Sequence, residues 1–241
     1  MKTSSFIVTL ISIFFLVACD KKEQGSISPQ PAIAPPVQTL KTPPETELRN
    51  FWDLHLEKPI KALISETHRF QEINARYRIL REQIVRRYGK IYNVNQSTIF
   101  CTASPNVLAG ASYERGTPHV TIFVPALYTL YPTLSQRYGA EVNEIFEMTV
   151  VTGFLHELDH LANGTIGFET NTNISLDKLV ESETLTWSQT CEFTIEPLLK
   201  RGIKLDESDT TYYTMWALAG RSAESPKWRK FIEEAYSVTR R

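Results

Sequence analysis

Long apolar runs, an excess of one charge and a cysteine framework are all missing from this chain of 241 residues. Its 26 Lys and Arg nearly balance 27 Asp and Glu, for a formal net charge of −1. That excludes a strongly basic surface, so nucleic acid is not an expected partner. No internal repeat is visible. The one extended apolar run, Phe6 to Ala18, is too short and too one-sided to span a bilayer. What the chain does have is 42% apolar and 11% aromatic residues, enough to build a core.

The first segment, "MKTSSFIVTLISIFFLVAC", places Lys2 before the apolar run and Cys19 after it. This is the pattern of a secretory signal peptide. Its end, "LVAC", resembles the lipobox of bacterial lipoproteins. The resemblance implies that Cys19 becomes the first mature residue and carries a lipid anchor in the membrane. Asp20 resembles the signal that keeps enterobacterial lipoproteins in the inner membrane, which implies a periplasmic face. The two remaining cysteines, Cys101 and Cys191, form one disulfide or stay as buried thiols.

Residues 20–45, "DKKEQGSISPQPAIAPPVQTLKTPPE", are rich in Pro, Ser and Gln. They bury too little to offset the entropy of ordering and read as a flexible tether. The remainder, 46–241, suits one domain. In its first part Ile73, Tyr77, Leu80, Ile84 and Tyr88 form a helical stripe that stops at Gly89, and Pro59 divides or kinks the preceding helix. His55 and His68 read as surface or core-edge residues. Between Tyr92 and Tyr128, β-branched residues and turn formers predict two to four short strands. "HVTIFVP" is the best of them, an edge strand with Pro125 at or near its end.

Helical spacing returns from Ser135. One long helix, roughly Ala140–Asn163, ends at Asn163-Gly164. A second runs roughly Leu176–Arg201, and shorter ones follow at about Ser208–Gly220 and Pro226–Thr239. Helices, a small sheet, then helices is an α+β order, with the sheet preceding the long helix.

That long helix contains "HELDH". His156 and His160 lie one turn apart on the same face, where two imidazoles converge on one zinc ion. Glu157 is beside the first and is placed to take a proton from a metal-activated water. Val150, Val151, Phe154, Leu155, Leu158 and Leu161 form the expected buried side. Thr149, Thr152, Gly153 and Asn163 share the histidine face and leave room for metal and substrate.

A third ligand is expected on the next helix. "LVESETLTW" offers Glu183 and, in reserve, Glu181. Glu183 falls within the apolar stripe of Leu176, Val180, Trp187, Cys191, Thr194 and Leu198, where an anion needs a cation to meet it. Glu181 falls about 120° away from that stripe.

The motif helix, the later glutamate and the preceding strand together resemble a gluzincin metallopeptidase, with "ESETLTW" similar to E-x-E-A-x-x-[FW]. The resemblance covers about residues 118–200. It implies a zincin-like fold, one zinc per chain held by His156, His160 and Glu183, Glu157 as general base, and a peptide or protein substrate pairing with "HVTIFVP". Two departures are Asp159, a charge inside the motif, and the lack of an N-E-x-x-x-D segment. Asp159 orients a histidine or caps a surface. "HELDHL" is also similar to the peptide deformylase motif, whose third ligand is an upstream cysteine. Here that is Cys101 in "IFCTASP", without the family's glycine and glutamate. Tyr212, Tyr213 and Arg221 are candidates to stabilise an oxyanion.

The expectation is a zinc-dependent peptidase of the cell envelope. The alternative is a non-catalytic, zinc-stabilised lipoprotein that binds peptide, its zinc closed by a fourth ligand such as Asp177 or His119. A helix that carries two histidines and no metal is the third possibility.

Overall fold

A computed structural model describes residues 43–100, 107–168, 173–209 and 211–237. The predicted signal peptide with Cys19, Asp20 and the tether through residue 42 lie outside them, as does Cys101. Within them the fold is mostly helical with one small sheet, an α+β arrangement. No described helix is long and apolar enough to cross a membrane.

The chain enters through α1 (Glu45–Phe51), a π-type turn (Trp52–Leu56) and α2 (Glu57–Ile64). Pro59 neither ends nor separates these segments. Proline lacks an N–H and its ring crowds the carbonyl four residues back. The widened turn just before it, closed by Glu57 N–H donating to the Trp52 carbonyl, accommodates both. Helix α3 (Gln71–Tyr88) buries Ile73, Tyr77, Leu80 and Ile84, as the stripe predicts, and stops at Gly89 in the left-handed region.

Three strands follow: β1 (Asn93–Ser97), β2 (Ala109–Glu114) and β3 (Thr117–Phe123), in the order β1-β3-β2. Strands β2 and β3 form an antiparallel hairpin. Its two turn residues, Arg115 and Gly116, both have positive φ, as a tight hairpin turn matching strand twist requires. Strand β1 pairs parallel to the other side of β3. This corrects the edge assignment of "HVTIFVP": it is the central strand, and β2 lies at the edge.

The same segment does not end as a strand. Val124 and Pro125 open helix α4 (Val124–Tyr138), which the sequence reading missed before Ser135. Proline is favoured in a first helical turn, where its missing N–H has no partner to lose. A second proline, Pro132, sits inside α4.

Helix α5 (Val142–Asn163) lies at the centre of the fold and packs on α2, α3, α4, α6, β2 and β3. It is buried on all sides from Met148 to Ala162, which corrects the reading of one buried and one open face. Helix α6 (Leu176–Lys200) starts at Ser175, whose hydroxyl caps it by accepting from the Lys178 N–H. Helices α7 (Tyr212–Leu218) and α8 (Pro226–Ser237) pack against α6. One apolar core runs from Leu48 on α1 to Tyr236 on α8. Cys191 is a buried thiol within it.

The end of α5 depends on Gly164, at φ 70°. Arg87 of α3 reaches across and donates to the carbonyls of Ala162 and Asn163, at 2.9 and 3.1 Å. A Cβ on Gly164 would stand 2.5 Å from Arg87 Nη1, whereas one on Gly89, also at positive φ, meets nothing. Gly89→Ala should cost about 1 kcal/mol for its left-handed backbone alone. Gly164→Ala should cost about 1–2 kcal/mol more, because Arg87 must give up its bonds to the carbonyls. Urea unfolding of the two variants measures the difference; equal losses would mean that Arg87 contributes nothing to the cap.

Candidate metal centre

Helix α5 carries His156 and His160 one turn apart, and α6 passes beside it with Glu183. His156 Nε2 and His160 Nε2 are 2.8 Å apart. Glu183 Oε2 is 3.3 Å from the first and Oε1 is 3.3 Å from the second. These ligand atoms all fall within 4.8 Å of one another, close enough to share one metal ion. Donors about 2.0–2.1 Å from a tetrahedral centre stand roughly 3.4 Å from each other. Each carboxylate oxygen fits that spacing to one imidazole. The imidazole pair fits after separating by about half an ångström.

The centre is buried. His156, Glu157, His160 and Glu183 are each 0% exposed, so solvent does not touch them. Among the described residues no arginine or lysine pairs with Glu183; the two imidazoles face it, and the Tyr236 hydroxyl is 2.8 Å from Oε2. Burial raises its pKa, but the imidazoles outweigh that and hold the carboxyl below its usual range. Burial and the neighbouring His160 lower the pKa of His156 to about 4, against the pull of Glu183. The His160 ring is fixed from its other nitrogen, Nδ1, 2.7 Å from Thr165 Oγ1. The His156 ring is held by stacking on Trp187, with centroids 3.8 Å apart, and Trp187 stacks in turn on Tyr212 at 3.9 Å.

Glu157 stands apart from this cluster. Neither of its carboxyl oxygens makes a hydrogen bond of good geometry. Burial pushes its pKa up to about 8, with the charge of Glu183 adding to the rise; His160 and the approaching backbone amide of Ala111 on β2 pull it down. One turn earlier Gly153 faces open space, with nothing within 4 Å of where a Cβ would sit. The neighbouring threonines face inward to their own helix, Thr149 donating to the Ile145 carbonyl and Thr152 to that of Met148.

Of the other candidates, Glu181 points to solvent. Asp177 is exposed near the start of α6, and His119 lies on β3, 3.2 Å from Asn95. Neither joins the cluster, and among the described residues no fourth His, Cys, Asp or Glu does. Asp159 does not cap a surface. It is buried and accepts from Arg76 of α3 at 2.9 Å and from Asn163 at 3.2 Å. Arg76 also donates to Gln189 of α6 at 3.0 Å, so Asp159 binds α3, α5 and α6 together.

The oxyanion candidates do not converge on the centre. Arg221 pairs with Glu196. Tyr213 is buried with its hydroxyl 3.3 Å from Thr149 Oγ1. Tyr212 stands behind Trp187. Sequence reasoning missed Tyr236 and Thr165. Tyr236 looks like any other core aromatic at helical spacing, and Thr165 belongs to the loop after α5; neither carries a local signal. Comparison with protein-family models, curated proteins and solved structures gives no match.

The buried groups fix how metal-free stability depends on pH. The folded state keeps a proton on Glu157 up to about pH 8, whereas the unfolded carboxyl loses it near 4.5. Stability from this group is therefore full below 4.5 and is lost as pH rises to 8. His156 acts in the opposite sense: unfolded it takes a proton below 6.5, folded only below about 4, so its contribution falls as pH drops through that window. Between 4.5 and 6.5 the two cancel; above 6.5 only Glu157 acts. With chelator present, Glu157→Gln should gain stability relative to wild type as pH rises from 6.5 to 8, by about 1–2 kcal/mol. Urea melts at the two pH values measure this, and a constant difference would contradict the raised pKa.

Proposed function

We propose that the protein is a zinc-dependent peptidase that hydrolyses peptide bonds in the bacterial cell envelope, tethered there through a lipid on Cys19. One observation carries the reading: two imidazoles and a carboxylate meet in a buried, cation-poor centre, with a second, unpartnered carboxylate beside it. Two histidines and a glutamate are the donor set of catalytic zinc sites, which keep one position open. The absence of a fourth His, Cys, Asp or Glu among the described residues favours this over a closed structural site. The gluzincin resemblance and the strand packed on the motif helix support a zincin-like fold.

His156, His160 and Glu183 hold the metal, which supplies Lewis acidity and lowers the pKa of water towards 7. Glu157 takes the proton from the attacking water and hands it to the leaving amine. Its position on the motif helix, one residue after His156, sets it beside the reacting centre but outside the donor set. The edge strand β2 is the element placed to pair with an extended peptide. The Ala111 amide on it already approaches Glu157. This transfers to β2 the role that the resemblance implied for "HVTIFVP".

Complete burial favours a second reading, a non-catalytic zinc-stabilised lipoprotein that binds peptide, since a closed centre has no route for substrate without motion. The two separate on Glu157. Purified residues 43–241 should contain about one zinc per chain by elemental analysis, lost in His156→Ala and in Glu183→Ala. Zinc should raise the melting temperature of the wild type, because the ligands meet only in the folded state. Glu157→Gln should keep the zinc and lose cleavage of a mixed fluorogenic peptide library by a hundredfold or more, on the order of a general base's contribution. Equal cleavage in wild type and Glu157→Gln would end the peptidase reading, and a metal-free wild type given zinc would end both.

A further inference from the structure

Tyr236, on the last described turn of α8, is fully buried and has its hydroxyl 2.8 Å from Glu183 Oε2. The same hydroxyl is 3.3 Å from Trp187 Nε1. An indole N–H only donates and an ionised carboxylate only accepts. The chain therefore has one direction: Trp187 donates to the Tyr236 oxygen, and the Tyr236 proton is aimed at Oε2. The other oxygen, Oε1, is without a hydrogen bond of good geometry and faces His160 Nε2 at 3.3 Å, while Oε2 also stands 3.3 Å from His156 Nε2. The ring of Trp187 meanwhile stacks on His156. One pair of aromatic residues thus touches two of the three proposed ligands from behind.

We infer that Tyr236 is a positioning residue of the metal centre, its hydrogen bond competing for Oε2 and biasing Glu183 to bind through Oε1. This rests on the metal reading of the site. A carboxylate that turns both oxygens to a cation occupies two positions and fills the one that catalysis needs open. The bond from Tyr236 draws on a lone pair of Oε2, which also faces His156, and leaves Oε1 the stronger donor. Partners behind a ligand orient it and tune its affinity, commonly by ten- to hundredfold. Helix α8 thereby contributes to the centre although it follows Glu183 by some fifty residues and carries no ligand itself.

The test compares wild type, Tyr236→Phe and Trp187→Phe for zinc affinity, by competition with a chromophoric chelator, and for the visible spectrum with cobalt(II) in place of zinc. Tyr236→Phe keeps the ring and removes only the hydroxyl. It should bind zinc roughly ten- to hundredfold more weakly, with metal-free stability close to wild type. Its cobalt spectrum should weaken from the intense absorption of a four-coordinate site towards the fainter one of higher coordination, a change that a merely structural role would not produce. Trp187→Phe keeps the stack and loses one neutral hydrogen bond, so its affinity should fall by about two- to tenfold. Wild-type affinity and spectrum in Tyr236→Phe would overturn the inference and leave the metal site standing. A wild type that binds neither ion would overturn the metal site and this inference with it. If Tyr236→Phe does not fold, Trp187→Phe decides: unchanged affinity and spectrum overturn the chain, and a loss of both supports it.

Discussion

The interaction on which the rest of this structure depends is that of a fully buried carboxylate, Glu183, with two buried imidazoles. An ionised carboxyl in an apolar interior is costly unless it is paired and hydrogen-bonded. Here the proton inventory is short. His156 and His160 turn the same nitrogen towards each other, so of two neutral rings one must donate and the other accept. The Tyr236 hydroxyl donates to Glu183 beside the two imidazoles. On the metal reading, a single divalent cation would satisfy all three groups together, each through a lone pair.

The surrounding architecture keeps those side chains from relaxing apart. Helix α5 is clamped along its length: Arg87 of α3 caps its end, and Asp159 binds Arg76, which reaches Gln189 on α6. The α5–α6 separation is thereby fixed within the same turn of α5 that carries the histidines. Stacking does the rest, running from His156 through Trp187 to Tyr212. A charged residue between the two histidines thus serves the site through its helix neighbours, and the departure of "HELDH" from an uncharged motif has a structural reason.

Helix ends were legible in the sequence because they are local. Gly89, Gly164 and Ser175 act through their own backbone or side chain, and all three mark ends where expected. Glu183 was separable from Glu181 because helical periodicity places one inside the apolar stripe and the other outside. Features set by tertiary packing were not legible. Central and edge strands read alike in one segment, since β3 owes its place to β1 and β2 on either side. Pro125 and Pro132 disguised α4 as turn and strand. The face of α5 bearing the histidines reads as open because its residues are small, yet it is covered by elements distant in the chain. Tyr236 is the extreme case, a site residue only because α8 folds back onto α6.

Glu157 shows how the two halves of the site depend on each other. Alone in the metal-free interior, its carboxyl holds a proton up to about pH 8, because burial and Glu183 both oppose its charge. A protonated carboxyl at neutral pH cannot serve as a base. On the metal reading, a dication held by the adjacent histidines would shift the local balance: it would offset the charge of Glu183, one cause of the rise, and favour the Glu157 anion. Burial then changes its role, from a penalty on the charge to a condition that makes the proton affinity of Glu157 responsive to its neighbour. On the peptidase reading, metal binding and the ionised form of Glu157 would favour each other.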